Sequence, residues 1–147
     1  MNPSQTERYS RQIKLPQVGK IGQQQLLDAR VLIIGMGGLG SPVSMYLAAT
    51  GVGHLVISDY DRVDESNLQR QIVHTQASIN ELKATSARDT LLRLNPSVSI
   101  DALNYELDDE ELREQVTQAN VVVDCTDNFP SRFELNRVSL ATGTPVV

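Results

Sequence analysis

The apolar run Arg30-Val31-Leu32-Ile33-Ile34 leads directly into Gly35-Met36-Gly37-Gly38-Leu39-Gly40. A short β-branched stretch without polar alternation suits a parallel strand covered on both faces. Beyond it Leu39, Val43, Tyr46 and Leu47 recur at helical spacing. Pro42 falls in the first turn, where its missing N–H does no harm, and Gly51 suits the C-terminal cap. Strand, glycine turn and helix in this order leave few topologies, because a parallel strand reaches its neighbour only through a crossover.

The rest of the chain repeats the alternation. "HLVISD", "VSIDAL" and "NVVVDC" read as further strands. Ser78 with Glu81 reads as a capping box opening a helix whose apolar face is Ala84, Ala87, Leu91 and Leu94, with a stop at Asn95-Pro96. Asp108 with Glu111 opens another, and a last helix runs from Pro130 to Gly143. The fold class is α/β, a doubly wound, mostly parallel, Rossmann-like sheet. Residues 1–28 are expected as an N-terminal helical arm, with a short helix near "GQQQLLDAR", and 29–147 as the nucleotide-binding domain. Thr144 to Val147 look like the opening of a further strand, so the chain is expected to be truncated at its C-terminus.

Composition removes several alternatives. A net charge of -5 argues against a general nucleic-acid or acidic-membrane surface, so any polyanion must meet a local cluster of cations. One cysteine, Cys125, excludes an internal disulfide or a multi-thiolate zinc site, and a reducing, cytoplasmic setting fits. No run approaches the roughly 18 apolar residues of a membrane span.

Gly35, Gly37 and Gly40 satisfy G-x-G-x-x-G between a strand and a helix. Such glycines permit a tight turn and close backbone approach, and free N–H groups at the helix start attract phosphate. Gly38 lies within the same turn. Asp59 ends the second strand about 20 residues further on, where a carboxylate accepts ribose hydroxyls. Arg70 and Lys83 lie in the connection leaving the same strand end, beside the inferred phosphate site; such cations are the usual way to hold a triphosphate, and an NAD site has no need of them. Asp61, Asp64 and Glu65 read as a solvated acidic loop. Asp124, Asp127 and Asn128 stand at another strand end; a carboxylate there suits Mg²⁺, while Asp127 or Asn128 also suits a helix cap. Cys125 reads as a core residue, and neither His54 nor His74 receives a role.

Taken together, "RYSRQIKL", "GMGGLG", "SDYD", "SNLQRQ", Lys83 and "DCTDN" closely resemble the ThiF/MoeB/HesA family, over nearly all of residues 7–147. These bacterial relatives of ubiquitin-activating enzymes adenylate the C-terminal glycine of a ubiquitin-like sulfur-carrier protein. The resemblance implies that Gly35, Gly37, Gly38 and Gly40 form the nucleotide loop and that Asp59 binds the ribose. It implies that Asn67, Arg70 and Lys83 bind the phosphates of ATP and that Asp127 serves Mg²⁺ and adenylation. Arg11 resembles the arginine that family members insert into the partner subunit's site, which implies a homodimer.

Family members usually continue into a region with two C-x-x-C zinc pairs and a cysteine used in covalent chemistry. Their zinc ligands are absent from this chain, which is expected to hold most of the ATP site and to lack the zinc and the covalent chemistry. "IGQQQLLDARVLIIGMGGLG" leans toward the thiamine branch by general likeness; the molybdopterin branch and a relative acting on a modified tRNA base are the neighbouring readings. The rivals are an NAD-dependent oxidoreductase, which leaves Arg70, Lys83 and "DCTDN" unexplained as a group, and a non-catalytic scaffold of the same fold, which would be expected to lack Arg70, Lys83 or Asp127.

Overall fold

The computed structural model describes residues 1–147. Its centre is a four-stranded, all-parallel sheet in the order β3-β2-β1-β4, built from β1 (Arg30–Ile34), β2 (His54–Ser58), β3 (Ser99–Leu103) and β4 (Val121–Asp124). The chain moves outward from β1 to β3 and then crosses to the other side of β1. The C-terminal ends of β1 and β4 therefore flank the topological switch point, where open α/β sheets bind ligands. Beyond β4 the Pro145 carbonyl accepts from Val122 N–H at 2.9 Å, and Val146 forms a parallel bridge to Val122, as the strand-like ending implies.

Alternation along β1 sends Val31 and Ile33 to one face and Leu32 to the other, and each face has its own core. On one side Val31, Ile33, Leu55 and Ile57 pack with Ala48 of α4 (Gly40–Thr50) and with Ala84, Ala87 and Leu91 of α5 (Lys83–Leu94). On the other, Leu32, Val56 and Val122 pack with Val116 of α6 (Asp109–Gln118) and with Leu135 and Val138 of α7 (Phe129–Thr142). No helix is long and apolar enough to cross a membrane.

Local structure departs from the sequence reading in two helices. α5 begins at Lys83 with Leu82 as its N-cap, five residues after Ser78. The Ser78 hydroxyl instead closes a short 3-10 turn with Thr75, and Asn80 takes a left-handed φ of 71° that breaks any helix there. In α4 the face turned inward is small: Gly40, Ser41, Ser44 and Ala48 are buried, while Leu39 and Tyr46 are exposed. Close approach of the helix to the sheet, not apolar bulk, sets that face. α6 opens on the expected box, with Asp108 accepting from Glu110 and Glu111 N–H.

Residues 1–28 fold as α1 (Pro3–Arg8), α2 (Ser10–Ile13) and α3 (Gly19–Asp28), docked against the end of α4. Buried Gln23 and its neighbour Gln12 both donate to the Thr50 carbonyl at 3.0 Å. Tyr9 is buried too, and its hydroxyl accepts from Asn95 Nδ2 at 2.8 Å. Asn95 also donates to the Ala48 carbonyl at 2.7 Å, so one amide joins the N-terminal helices, α4 and the end of α5. Asn95→Ala leaves a buried hydroxyl and carbonyl without that donor and should destabilise the chain by about 2 kcal/mol or more. Urea denaturation checks this; an unchanged midpoint and slope would contradict it.

Candidate nucleotide site

Gly35 turns the chain at the end of β1 with φ +93°, and a Cβ there would lie 2.7 Å from the Cys125 carbonyl oxygen. A Cβ on Gly40 would come within 2.0 Å of the Gly35 carbonyl oxygen. These two glycines are required by backbone approach alone. Gly37 and Gly38 are different, since a Cβ on them would meet only the Gln71 amide at 3.5 Å and the Arg70 stem at 3.6 Å. The N–H groups of Gly37, Gly38 and Leu39 donate to nothing in the chain, and all three residues line a cavity of about 1000 Å³ at the switch point. Free amides at the start of α4 make an anion cradle.

Asp59 follows β2 and is half-buried at the cavity wall. Its Oδ2 accepts from Met36 N–H at 2.7 Å and its Oδ1 from Asp61 N–H at 2.8 Å. A carboxylate has about four acceptor positions, so two remain for a sugar diol. The same side chain thus braces the glycine loop and faces the ligand space.

Lys83 and Arg70 both line the cavity. Lys83 is 7% exposed, and its Nζ meets Asp61 Oδ2 at 3.1 Å. Asp61 is therefore the lysine's partner at the cavity wall and not a member of a merely solvated loop, a correction that follows from Asp61 and Lys83 also sharing a backbone bond of 2.8 Å. Asp64 does stay exposed; hydrogen bonding from the Ser66 side chain and backbone holds its carboxyl below the usual range. Arg70 is exposed, and its Nη2 donates to Asn67 Oδ1 at 3.0 Å. Asn67 does not line the cavity itself and acts on Arg70.

At the end of β4 the polar groups divide their tasks. Asp124 Oδ1 accepts from Thr126 N–H at 3.0 Å and from its hydroxyl at 2.6 Å. Asn128 caps α7 through Ser131 N–H at 3.0 Å. Asp127 is left out of both turns, exposed on the cavity wall. The Cys125 thiol is pushed up to about 11 by burial and by the Asp124 charge, which leaves it an inert core group at neutral pH. Arg132, which the sequence reading passed over, donates to the Thr126 carbonyl at 2.7 Å and lines the same wall. Arg11 lies exposed on α2, outside this cavity.

Loop amides without partners, a carboxylate on the cavity wall and two cations at the switch point of a parallel sheet define a Rossmann-like domain of the kind that takes nucleotides. The chain belongs to the ThiF family, whose model matches residues 9–147. It is 48% identical over 147 residues to the sulfur carrier protein ThiS adenylyltransferase of Escherichia coli K12, covering all of this chain and 59% of that protein. It is 47% identical over 140 residues to the molybdopterin-synthase adenylyltransferase of the same organism, covering 95% of this chain and 56% of that one. The chain thus spans little more than half the length of the curated relatives it matches. In fold it is similar to the crystal structure of E. coli tRNA N6-threonylcarbamoyladenosine dehydratase in complex with ATP, with a TM-score of 0.91 at 22% identity, covering 99% of this chain and 59% of that one.

Two further residues received no role from the sequence, although Gln71 closes the "SNLQRQ" motif. Gln71 is buried beside Gly37 with its Oε1 unpaired. His74, also buried, places Nε2 3.0 Å from the Met36 carbonyl and Nδ1 2.9 Å from Ser86 Oγ. Burial, opposed by its bond to Met36 and reinforced by Lys83, holds its imidazole below the ordinary value of 6.5. The unfolded chain then takes up this proton first, so the contribution is intact above pH 6.5 and is lost as pH falls below it. Melting temperature should decline from pH 7.5 to 5.5 more steeply in the wild type than in His74→Gln, which cannot titrate; parallel declines would contradict this.

Proposed function

We propose that this domain binds ATP and transfers its adenylyl group to the C-terminal glycine carboxylate of a ubiquitin-like sulfur-carrier protein, releasing pyrophosphate. The observation that carries the reading is the convergence of Arg70 and Lys83 on a cavity whose glycine loop offers unpaired N–H groups. The names of the two relatives at 48% and 47% identity support it. The expected setting is the cytoplasm.

Residue by residue, the glycine loop and Arg70 meet the phosphates, Asp59 holds the ribose and Lys83 offsets charge that develops in the transition state. A C-terminal carboxylate, with a reference pKa of roughly 3.5, is already ionised and needs no general base. Its oxygen bonds to the α-phosphorus as the bond to the bridging oxygen breaks, and pyrophosphate leaves with that electron pair. The chain's task is to position two anions and compensate their charge.

Six carboxylates, those of Asp59, Asp61, Asp127, Glu106, Asp109 and Glu134, share the cavity wall with only Arg70, Lys83 and Arg132. Such a wall accepts a polyphosphate more readily together with a divalent cation, and Asp127, free of local bonds, fits Mg²⁺. When bound, Mg²⁺ supplies Lewis-acid neutralisation of phosphate oxygens. Arg11, exposed away from its own cavity, is read as reaching the site of a second copy, which makes the working unit a homodimer.

Exchange of labelled pyrophosphate into ATP tests the reading. The chain supplied with a ubiquitin-like carrier should catalyse exchange only when the carrier keeps its terminal glycine, and Lys83→Ala or Asp127→Ala should lower the rate by about 100-fold. Exchange indifferent to that glycine, or unaffected by both substitutions, would contradict it.

A further inference from the structure

We infer that His74 is a positioning residue for nucleotide binding: it fixes the segment bearing Arg70 over the glycine loop and ties both to the helix that begins with Lys83. The inference rests on the adenylation reading only for the identity of the ligand.

The Met36 peptide is held from both sides. Its N–H donates to Asp59 Oδ2 at 2.7 Å, and its carbonyl lies 3.0 Å from His74 Nε2. A carbonyl only accepts, so Nε2 carries the proton and Nδ1 accepts from the Ser86 hydroxyl at 2.9 Å. Ser86 stands one turn beyond Lys83 on α5, so the ring bridges the loop and the helix that presents the lysine. The contacts run in sequence along two opposed segments. His74 meets Met36, Gln71 lies beside Gly37 and the Arg70 stem lies along Gly38. His74 is the hydrogen-bonded anchor of this strap, and Arg70, itself exposed, depends on it for its place over the loop. A histidine that merely filled core volume would not couple energetically to Arg70.

Calorimetric titration with MgATP of wild type, His74→Ala, Arg70→Ala, the double variant and His74→Gln tests this. His74→Ala should weaken MgATP binding about tenfold, and the cost of Arg70→Ala should shrink by about fivefold or more in its background. His74→Gln, whose Nε2 can still donate to the Met36 carbonyl, should restore most of the affinity. Additive losses, or a glutamine no better than alanine, would overturn the inference. If His74→Ala fails to fold, Ser86→Ala, which removes one hydroxyl, carries the same cycle.

A second readout needs no nucleotide. In His74→Ala, but not in His74→Gln, hydrogen exchange at the Met36 and Ser41 amides should rise relative to Val56 and Ile57 in the sheet. Unchanged relative exchange would overturn the inference. Failure of the wild type to bind MgATP would count against the adenylation reading, and exchange at the loop would then decide the role of His74.

Discussion

The backbones of the two strand ends at the switch point touch, and the site depends on that contact. Gly35 sits against the Cys125 carbonyl, and Gly40 sits against Gly35, so neither position has room for a side chain. Because the turn is this tight, α4 starts directly above the sheet and presents its first N–H groups to the crevice. The small inward face of α4, Gly40, Ser41, Ser44 and Ala48, follows from the same closeness. A row of unpaired loop amides and a helix packed at short range are thus two results of one constraint.

Around that turn several polar side chains that brace the fold also line the cavity. Asp59 braces Met36 while facing the cavity, and Asp61 holds Lys83 at its wall. Asn67 accepts from Arg70, while Asn128 takes the cap of α7 and leaves Asp127 on the cavity wall without a local bond. The cost of burying Lys83 is offset by its carboxylate partner. On the proposed reading, an incoming polyphosphate meets cations that are already oriented, and little is lost in ordering them.

Strands and glycine turn were legible in the sequence because the apolar β-branched runs and the G-x-G-x-x-G spacing state their geometry directly. The Ser78-Glu81 box was misleading because the pattern is local, whereas Asn80 and the turn closed by Thr75 commit that stretch to another shape. The α4 face misled for a different reason: periodicity marks where apolar residues recur, but a helix lying close to a sheet buries small residues instead. That the strand-end residues Gly35, Asp59 and Asp127 line one cavity follows from topology alone. The packing of His74 and Gln71 against the glycine loop does not, since a segment folded back over that turn is a tertiary fact with no spacing of its own. Arg11 belongs to the same class, with its role read only from resemblance.

The measurement closest to the central claim is the affinity of the chain for AMP, ADP, ATP and NAD in the presence of Mg²⁺, taken in wild type and in Arg70→Ala. A site built around free loop amides, Arg70 and Lys83 should bind more tightly with each added phosphate, should prefer ATP to NAD, and should lose most of that gradient without Arg70. Affinity independent of phosphate number, or NAD bound more tightly than ATP in both proteins, would contradict the account.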